Sequence, residues 1–218
     1  MDVVHIEMRG TPGVREAAVR FWAMRTVAAV LGEIAGLAVA GKGSHFLAAA
    51  GVVSIGVLYA RDRAGPIAFW PVLVGVLMLS AALAHMADRS LGIGDCIPSV
   101  QLAALFALAL IVRARVAGKT GFLAIGSIRN HAPFWIVAML AQALASSLAD
   151  WVVEPGQTGS SVVLLAVAIG LPAVAAARWA RIARPALFWA AFVLTGILGA
   201  LWGDMLIRLI GAGHSLST

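Results

Sequence analysis

Glu33, His85, Asp150 and Asp204 lie within long apolar stretches of this chain. Their side chains are of the types that bind cations or carry protons. Carboxylate oxygens with one imidazole suit hard or borderline divalent ions, for example manganese, magnesium or zinc, better than copper(I), which prefers sulfur. The sequence therefore predicts a site for a divalent metal ion, bound as substrate, or for a proton, and no other cofactor is expected.

A repeated aromatic pair sets the register of these residues. The pair recurs four times, at Phe21-Trp22, Phe69-Trp70, Phe134-Trp135 and Phe188-Trp189. Counting from the tryptophan of each pair, Glu33 is the eleventh residue, and His85, Asp150 and Asp204 are each the fifteenth. The tenth and fourteenth positions are always Gly, Ala or Ser, and small residues four apart let helices approach closely in lipid. Because the eleventh and fifteenth positions lie beside that face, we expect the ionisable groups to meet inside a helix bundle.

Other polar residues extend the candidate site. Gln142, Ser146 and Asp150 follow one another at four-residue spacing, which places them on one face of a helix. Asp88 follows His85 by three residues and lies on a neighbouring face. The predicted metal ligands are Glu33, His85, Asp150 and Asp204, and the wider ion-binding set adds Asp88, Gln142 and Ser146. No catalytic residue is predicted.

A structural role is the alternative for the same residues. A charged group facing lipid at this depth costs on the order of 2.5–3.5 kcal/mol, so these side chains turn inward in either case. In the structural alternative Asp204 pairs with Arg208, His85 binds Asp88, and a protonated Glu33 donates to a backbone carbonyl. Such contacts hold membrane helices together for ~0.6–2 kcal/mol each. The recurring register favours the shared site.

Composition places the candidate site in an integral membrane protein. With 61% hydrophobic residues, 12% charged residues and a mean hydropathy of +0.96, the 218-residue chain has too little polar surface for a soluble globule. The predicted fold class is an all-α integral membrane protein, in which three parallel two-helix repeats precede a seventh helix. The seven spans are predicted at residues 17–40, 45–60, 67–87, 98–112, 133–153, 160–177 and 185–210. Charged residues interrupt the first twenty residues, so no cleavable signal peptide is expected.

The basic residues predict the orientation of the bundle. Of sixteen Lys and Arg residues, only Lys42, Arg89 and Arg208 lie toward one side, so the positive-inside rule puts the N-terminus in the cytoplasm and the C-terminus outside. Residues 1–16 are then a cytoplasmic segment, 17–210 the membrane domain and 211–218 an outside tail. The net charge of +6 does not indicate nucleic acid, because the basic loops are not interleaved with aromatic residues. Membrane lipids, especially anionic headgroups, are the expected partners, and a homo-oligomer is compatible with the sequence.

Several motifs resemble a bacterial family labelled "uncharacterised membrane-anchored protein". Besides the Phe-Trp openings, they are Gly32-Glu33, Ala87-Asp88 with Leu91-Gly92-Ile93-Gly94, Leu148-Ala149-Asp150-Trp151, and Leu198-Gly199-Ala200 with Gly203-Asp204. The resemblance covers nearly the whole chain and implies a multi-pass protein of the bacterial inner membrane. It also implies an aspartate in each odd helix at the position of Asp150 and Asp204, and a glutamate in the first helix at Glu33. Here Leu37 replaces the first aspartate and His85 the second, so a symmetric acidic ring is not expected.

The predicted function is a small secondary transporter that couples movement of a divalent cation, manganese-like or zinc-like, to protons. A buried site whose ligands must lose protons to bind a metal can serve both ions. One alternative is an intramembrane metal-dependent enzyme acting on lipid. Only one histidine is well inside the membrane, which does not suffice for a three-histidine zinc site. The other alternative is a non-catalytic membrane scaffold.

Overall fold

The computed structural model describes residues 12–40, 69–91, 96–117, 132–153, 167, 169–170 and 184–215. Within these ranges the elements are α1 (Pro12–Ala40), α2 (Phe69–Leu91), α3 (Cys96–Ala117), α4 (Ala132–Val153) and α5 (Arg184–Ser215). This part of the chain is entirely helical and contains no strand.

Four of the helices are long and apolar enough to cross a membrane. The membrane-length segments are Ala18–Ala40, Phe69–Met86, Pro133–Trp151 and Ala186–Ile210. They support the prediction of a multi-pass membrane protein. The predicted span 98–112 lies within α3, which is a helix as expected. The span predicted at 45–60 falls outside the described residues, and only three residues of 160–177 are described, so the seven-span count and the three repeats stay predictions.

Each of these helices has a proline within its first three residues. The prolines are Pro12, Pro71, Pro98, Pro133 and Pro185. The first turn of a helix has N–H groups without an intrahelical acceptor, so a residue lacking N–H is tolerated there, whereas in the helix interior it would break the hydrogen-bond ladder. Proline is therefore compatible with the positions where these helices begin. The Phe-Trp pair lies within the first six residues of α2, α4 and α5, and at the tenth and eleventh residues of α1.

Four helices form a ring. α1 packs against α2 and α5, α4 packs against the same two helices, and α3 packs against α4. At the end that carries the Phe-Trp pairs, each phenylalanine contacts the tryptophan of the next helix. The ring centroids are 5.8 Å apart for Phe21–Trp70, 5.8 Å for Phe69–Trp135, 5.6 Å for Phe134–Trp189 and 5.6 Å for Phe188–Trp22. These eight residues form one continuous aromatic layer, here called the aromatic end of the bundle.

Small residues set the helix spacing above the aromatic end. A Cβ added to Gly36 of α1 would lie 2.6 Å from the Cβ of Ala81 and 2.9 Å from the carbonyl oxygen of Met78 in α2. A Cβ added to Gly203 of α5 would lie 2.9 Å from the Cβ of Glu33 in α1. No side chain larger than hydrogen fits at these positions without moving a helix. The close approach brings the residues beside the glycines, Glu33 among them, into the interior of the ring.

Candidate functional site

Burial of side chains in the ring follows their positions counted from the tryptophans. All residues at the eleventh position are buried, namely Glu33, Ala81, Ser146 and Ala200. At the fifteenth position His85 is buried, while Asp150 and Asp204 are half-buried. Burial therefore decreases from the eleventh to the fifteenth position, toward the end of the bundle away from the aromatic layer.

An imidazole held between two carboxylates is the centre of the candidate site. His85 of α2 places its Nε2 atom 2.6 Å from Oε1 of Glu33 in α1. Its Nδ1 atom lies 3.2 Å from Oδ2 of Asp150 in α4. One ring thus connects three helices of the bundle. When both ring nitrogens carry hydrogen the imidazole is positively charged and can donate to both carboxylates.

Further hydrogen bonds continue from this triad toward the aromatic end. Ser146 Oγ donates to Glu33 Oε2 at 2.7 Å, and Gln142 Nε2 donates to Ser146 Oγ at 3.5 Å. Arg25 Nη2 donates to Gln142 Oε1 at 3.0 Å. We call the six residues Asp150, His85, Glu33, Ser146, Gln142 and Arg25 the polar chain. It extends from the fifteenth to the third position after the tryptophans, about 18 Å along the helix axes at 1.5 Å per residue.

Exposure falls steadily along the polar chain. The Asp150 side chain is 33% exposed and that of His85 8%, whereas Glu33 is 2% exposed. Arg25, at the aromatic end, is completely buried, and its guanidinium carbon lies 3.9 Å from the centre of the Phe192 ring. Asp150 is therefore the most exposed member of the polar chain, and aromatic packing encloses the other end.

The predicted ion-binding residues separate into three groups. Glu33, His85, Gln142, Ser146 and Asp150 come together in the polar chain. Asp204 lies apart from these contacts. Its carboxylate accepts a hydrogen bond from Nε of Arg208 at 2.7 Å, and the two side chains are 29% and 65% exposed, which is the pairing of the structural alternative. Asp88 lies in α2, but its side chain is outside the part of the chain that the structure describes.

Arg25 is the member of the polar chain that sequence reasoning missed. Because Arg25 lies close to the predicted start of the first span, it counts among the basic residues that predict the orientation of that span. A signal was present in the sequence, since Arg25, Ala29 and Glu33 follow one another at four-residue spacing and share a helix face. Arg25 therefore lies on the same interior face as Glu33, two turns closer to the aromatic end.

The triad in this conformation suits a proton better than a metal ion. The two carboxylates contact opposite nitrogens of His85, so an ion on either nitrogen meets only one of them directly. Metal–nitrogen and metal–oxygen bonds are each about 2 Å long, and the 2.6 Å between Nε2 and Oε1 leaves room for hydrogen alone. No group of three or more His, Cys, Asp or Glu side chains in the described ranges is arranged to hold a metal ion. Metal binding would require His85 and Glu33 to separate.

Comparison of the chain with protein-family models, with curated proteins and with solved structures found no match. The chemistry of the polar chain is therefore the basis for a functional inference.

Proposed function

We propose that this protein is a small secondary transporter that exchanges protons for a cation at Glu33, His85 and Asp150. The supporting observation is the imidazole between two carboxylates, inside helices of membrane-spanning length, with one carboxylate, that of Asp150, 33% exposed. Ionisable groups are costly within a membrane and are usually found there along ion or proton pathways. The structural alternative accounts for the Asp204–Arg208 pair, but a triad that opens at Asp150 fits an exchange site better.

The charge of the triad changes with its protonation in a way that favours a divalent ion. With a charged imidazole the triad carries one negative charge in total, and with a neutral imidazole it carries two. A divalent cation then neutralises the site. Once Nε2 has lost its hydrogen, His85 Nε2 and Glu33 Oε1 become available as ligands. His85 can keep the hydrogen on its Nδ1 atom and donate it to Asp150. This is the arrangement in which a carboxylate orients a metal-binding histidine. Manganese-like and zinc-like ions accept such nitrogen and oxygen ligands.

The remainder of the polar chain favours a carrier over a channel. Proton exchange between titratable groups extends from Asp150 through His85 to Glu33, whose carboxylate accepts a hydrogen bond from Ser146. Beyond them, the amide of Gln142 does not release a proton near neutral pH, and the positive charge of Arg25 repels cations, as basic residues do in selective pores. A cation bound at the triad would thus leave toward the aromatic end only after the helices rearrange. That requirement is alternating access, which is known for transporters built from parallel repeats.

The proposal includes the orientation and location predicted from the sequence. With the N-terminus in the cytoplasm, the aromatic end lies at the cytoplasmic surface and Asp150 faces outward, toward the periplasm of a bacterial inner membrane. The triad would accept its cation from outside when His85 has given up a proton. The resemblance to the membrane-anchored family and the three parallel repeats remain part of this proposal.

The test is ion-driven proton movement in proteoliposomes. The purified chain is reconstituted with a trapped pH-sensitive dye, and Mn²⁺, Zn²⁺, Mg²⁺ or Na⁺ is added outside. We expect at least one divalent ion to make the lumen more alkaline several times faster than in liposomes without protein, because protons leave as the ion enters. Unchanged lumen pH for every ion, with folded and inserted protein, would contradict the proposal and favour the scaffold.

A further inference from the structure

Arg25 can donate hydrogen bonds but cannot accept them, because a guanidinium has N–H groups and no acceptor. Its Nη2 atom donates to Gln142 Oε1 at 3.0 Å and to the Phe192 carbonyl oxygen at 3.2 Å. The guanidinium carbon also lies 3.9 Å from the centre of the Phe192 ring. Phe192 thus holds the guanidinium beside Gln142, and only the oxygen of the Gln142 amide can accept from it.

The orientation of the Gln142 amide follows from this contact. With Oε1 turned toward Arg25, the NH₂ group faces Ser146, and Nε2 lies 3.5 Å from Ser146 Oγ. That distance is long for a hydrogen bond, but the consequence depends on which end of the amide faces the hydroxyl. An NH₂ group cannot accept the hydrogen of a hydroxyl. Ser146 must therefore donate its hydrogen to another group.

Ser146 donates across the bundle, unlike three other hydroxyl residues of the ring helices. Thr26, Ser80 and Thr195 each donate to the backbone carbonyl four residues earlier, at 3.0, 2.7 and 2.7 Å. This local bond is a common alternative for a hydroxyl within a helix. Ser146 instead donates to Glu33 Oε2 in α1 at 2.7 Å. Its hydrogen thus goes to the carboxylate of the triad and not to its own helix.

The two oxygens of Glu33 are consequently not equivalent. Oε2 accepts the hydrogen of Ser146, whereas Oε1 lies 2.6 Å from His85 Nε2. A proton on Oε2 would point at a hydroxyl that is already donating, whereas a proton on Oε1 lies between two atoms that can share it. The proton can pass from His85 Nε2 to Glu33 Oε1, where an oxygen lone pair binds it and the electron pair of the N–H bond stays on the nitrogen.

We propose that Arg25 is a positioning residue, which acts through Gln142 and Ser146 to make Oε1 the oxygen of Glu33 that takes up a proton. The inference rests on the proposed exchange function, in which the same Oε1 atom becomes a ligand of the cation. A proton and a cation then compete for one atom. If Oε2 held the proton instead, Glu33 could keep it while Oε1 bound the cation, and the exchange would lose its coupling.

The test is infrared difference spectroscopy of the reconstituted full chain between neutral and acidic pH. A carboxyl group that takes up a proton gains a C=O stretching band, and the Glu33 band is the one that Glu33→Gln removes. With the proton on Oε1, the C=O oxygen is Oε2, whose hydrogen bond from Ser146 lowers the frequency. Ser146→Ala should therefore shift the band to higher wavenumber. Absence of any Glu33 band, or an unshifted band in Ser146→Ala, would overturn the proposal.

Variants of Arg25 test its role from a distance. Arg25→Met should shift the Glu33 band in the same direction, because the Gln142 amide can then turn and accept the hydrogen of Ser146. Arg25→Lys should keep the wild-type band, since an ammonium group also only donates. Arg20→Met is the control, because Arg20 is an exposed arginine of the same helix. A wild-type band in Arg25→Met would mean that Arg25 is only structural and would overturn the proposal.

Gln142→Glu keeps the test decisive if Arg25→Met does not fold. This variant leaves Arg25 in place and presents an acceptor oxygen to Ser146 where the NH₂ group had been. The Glu33 band is obtained by subtracting the spectrum of the same variant with Glu33→Gln added. We expect a shift to higher wavenumber, because Ser146 then divides its hydrogen between two carboxylates. An unshifted band would overturn the proposal.

This inference and the exchange function can fail separately, because the infrared spectra are recorded without a transported cation. Shifted bands in Ser146→Ala and Arg25→Met, with no ion-driven change of lumen pH in the wild type, would support the role of Arg25 in directing the hydrogen bond and contradict the exchange function. Ion-driven exchange with an unshifted band in Arg25→Met would contradict the role of Arg25 alone.

Discussion

Asp150→Asn is expected to reduce ion-driven proton exchange in proteoliposomes by roughly 10–100-fold, the usual effect of removing a carboxylate that orients a metal-binding histidine. Asparagine keeps the size of the side chain and one acceptor oxygen, so insertion and folding should be retained. The amide cannot take up a proton, and it contributes no negative charge to the site. The initial rate of the lumen pH change measures the effect.

Asp204→Asn is the matched control for this prediction. It is the same substitution at the same register position, fifteen residues after a tryptophan. Asp204 pairs with the exposed Arg208 and lies outside the polar chain. The exchange rate should stay within about twofold of wild type, since exposed pairs of this kind typically contribute only 0.2–1 kcal/mol. If Asp150→Asn transports normally, or if the two variants lose activity equally, Asp150 does not have the role assigned here.

Glu33→Met is expected to lower the free energy of unfolding by about 3–5 kcal/mol, the range for removing one partner of a buried ion pair. The variant leaves His85 Nε2 and Ser146 Oγ without the carboxylate that they contact at 2.6 and 2.7 Å. His85→Leu alone should also be destabilising, because it leaves Glu33 buried without its imidazole. Unfolding in detergent, followed by circular dichroism, measures both values.

The double variant separates a coupled pair from two independent losses. Glu33→Met combined with His85→Leu replaces both groups by apolar side chains, which is often tolerated where single removal is not. We expect the double variant to lose less free energy of unfolding than the sum of the two single losses, with a coupling free energy of roughly 1–3 kcal/mol. A double-mutant cycle of Asp204 and Arg208 serves as the control, and its coupling free energy should be about 0.2–1 kcal/mol. Simple additivity for Glu33 and His85 would show that their short contact contributes little.

The convergence of Glu33, His85 and Asp150 was predictable because the Phe-Trp pairs align the helices. The tryptophans lie in one layer, so the offset from the tryptophan gives the depth of a residue. The eleventh and fifteenth positions differ by about one helical turn, and the small residues indicate the face that packs closely. The sequence around each ionisable residue thus predicts both its depth in the bundle and the helix face on which it lies. Without those two signals, three ionisable residues far apart in sequence would have had no common reference.

Asp204 shows the limit of the register. At 3.6 residues per turn, the fifteenth position is rotated by about 40° from the eleventh, so it lies at the edge of the interior face. His85 and Asp150 turn inward from this edge because they contact each other. Asp204 has Arg208 one turn later on its own helix, and this local pairing competes with the interior. The sequence contained both possibilities, and only the packing of the helices distinguished them.

Arg25 shows a different limit. Basic residues near the start of a membrane helix are counted as signals of orientation, and that rule does not consider whether the side chain reaches water. The burial of Arg25 depends on Phe192 and Gln142, which come from two other helices. Such contacts cannot be predicted from the periodicity of one helix. The four-residue spacing to Glu33 indicated only the face that Arg25 occupies.

The exchange of a proton for a cation is the central claim, and the number of protons released when the cation binds tests it most directly. The purified protein is titrated with the ion that changes lumen pH, by calorimetry in two buffers that differ in ionisation enthalpy. The difference in heat gives the proton count. We expect about one proton released for each ion bound, because the ligand nitrogen must be deprotonated. Binding with the same heat in both buffers would mean that no proton is exchanged and would contradict the account.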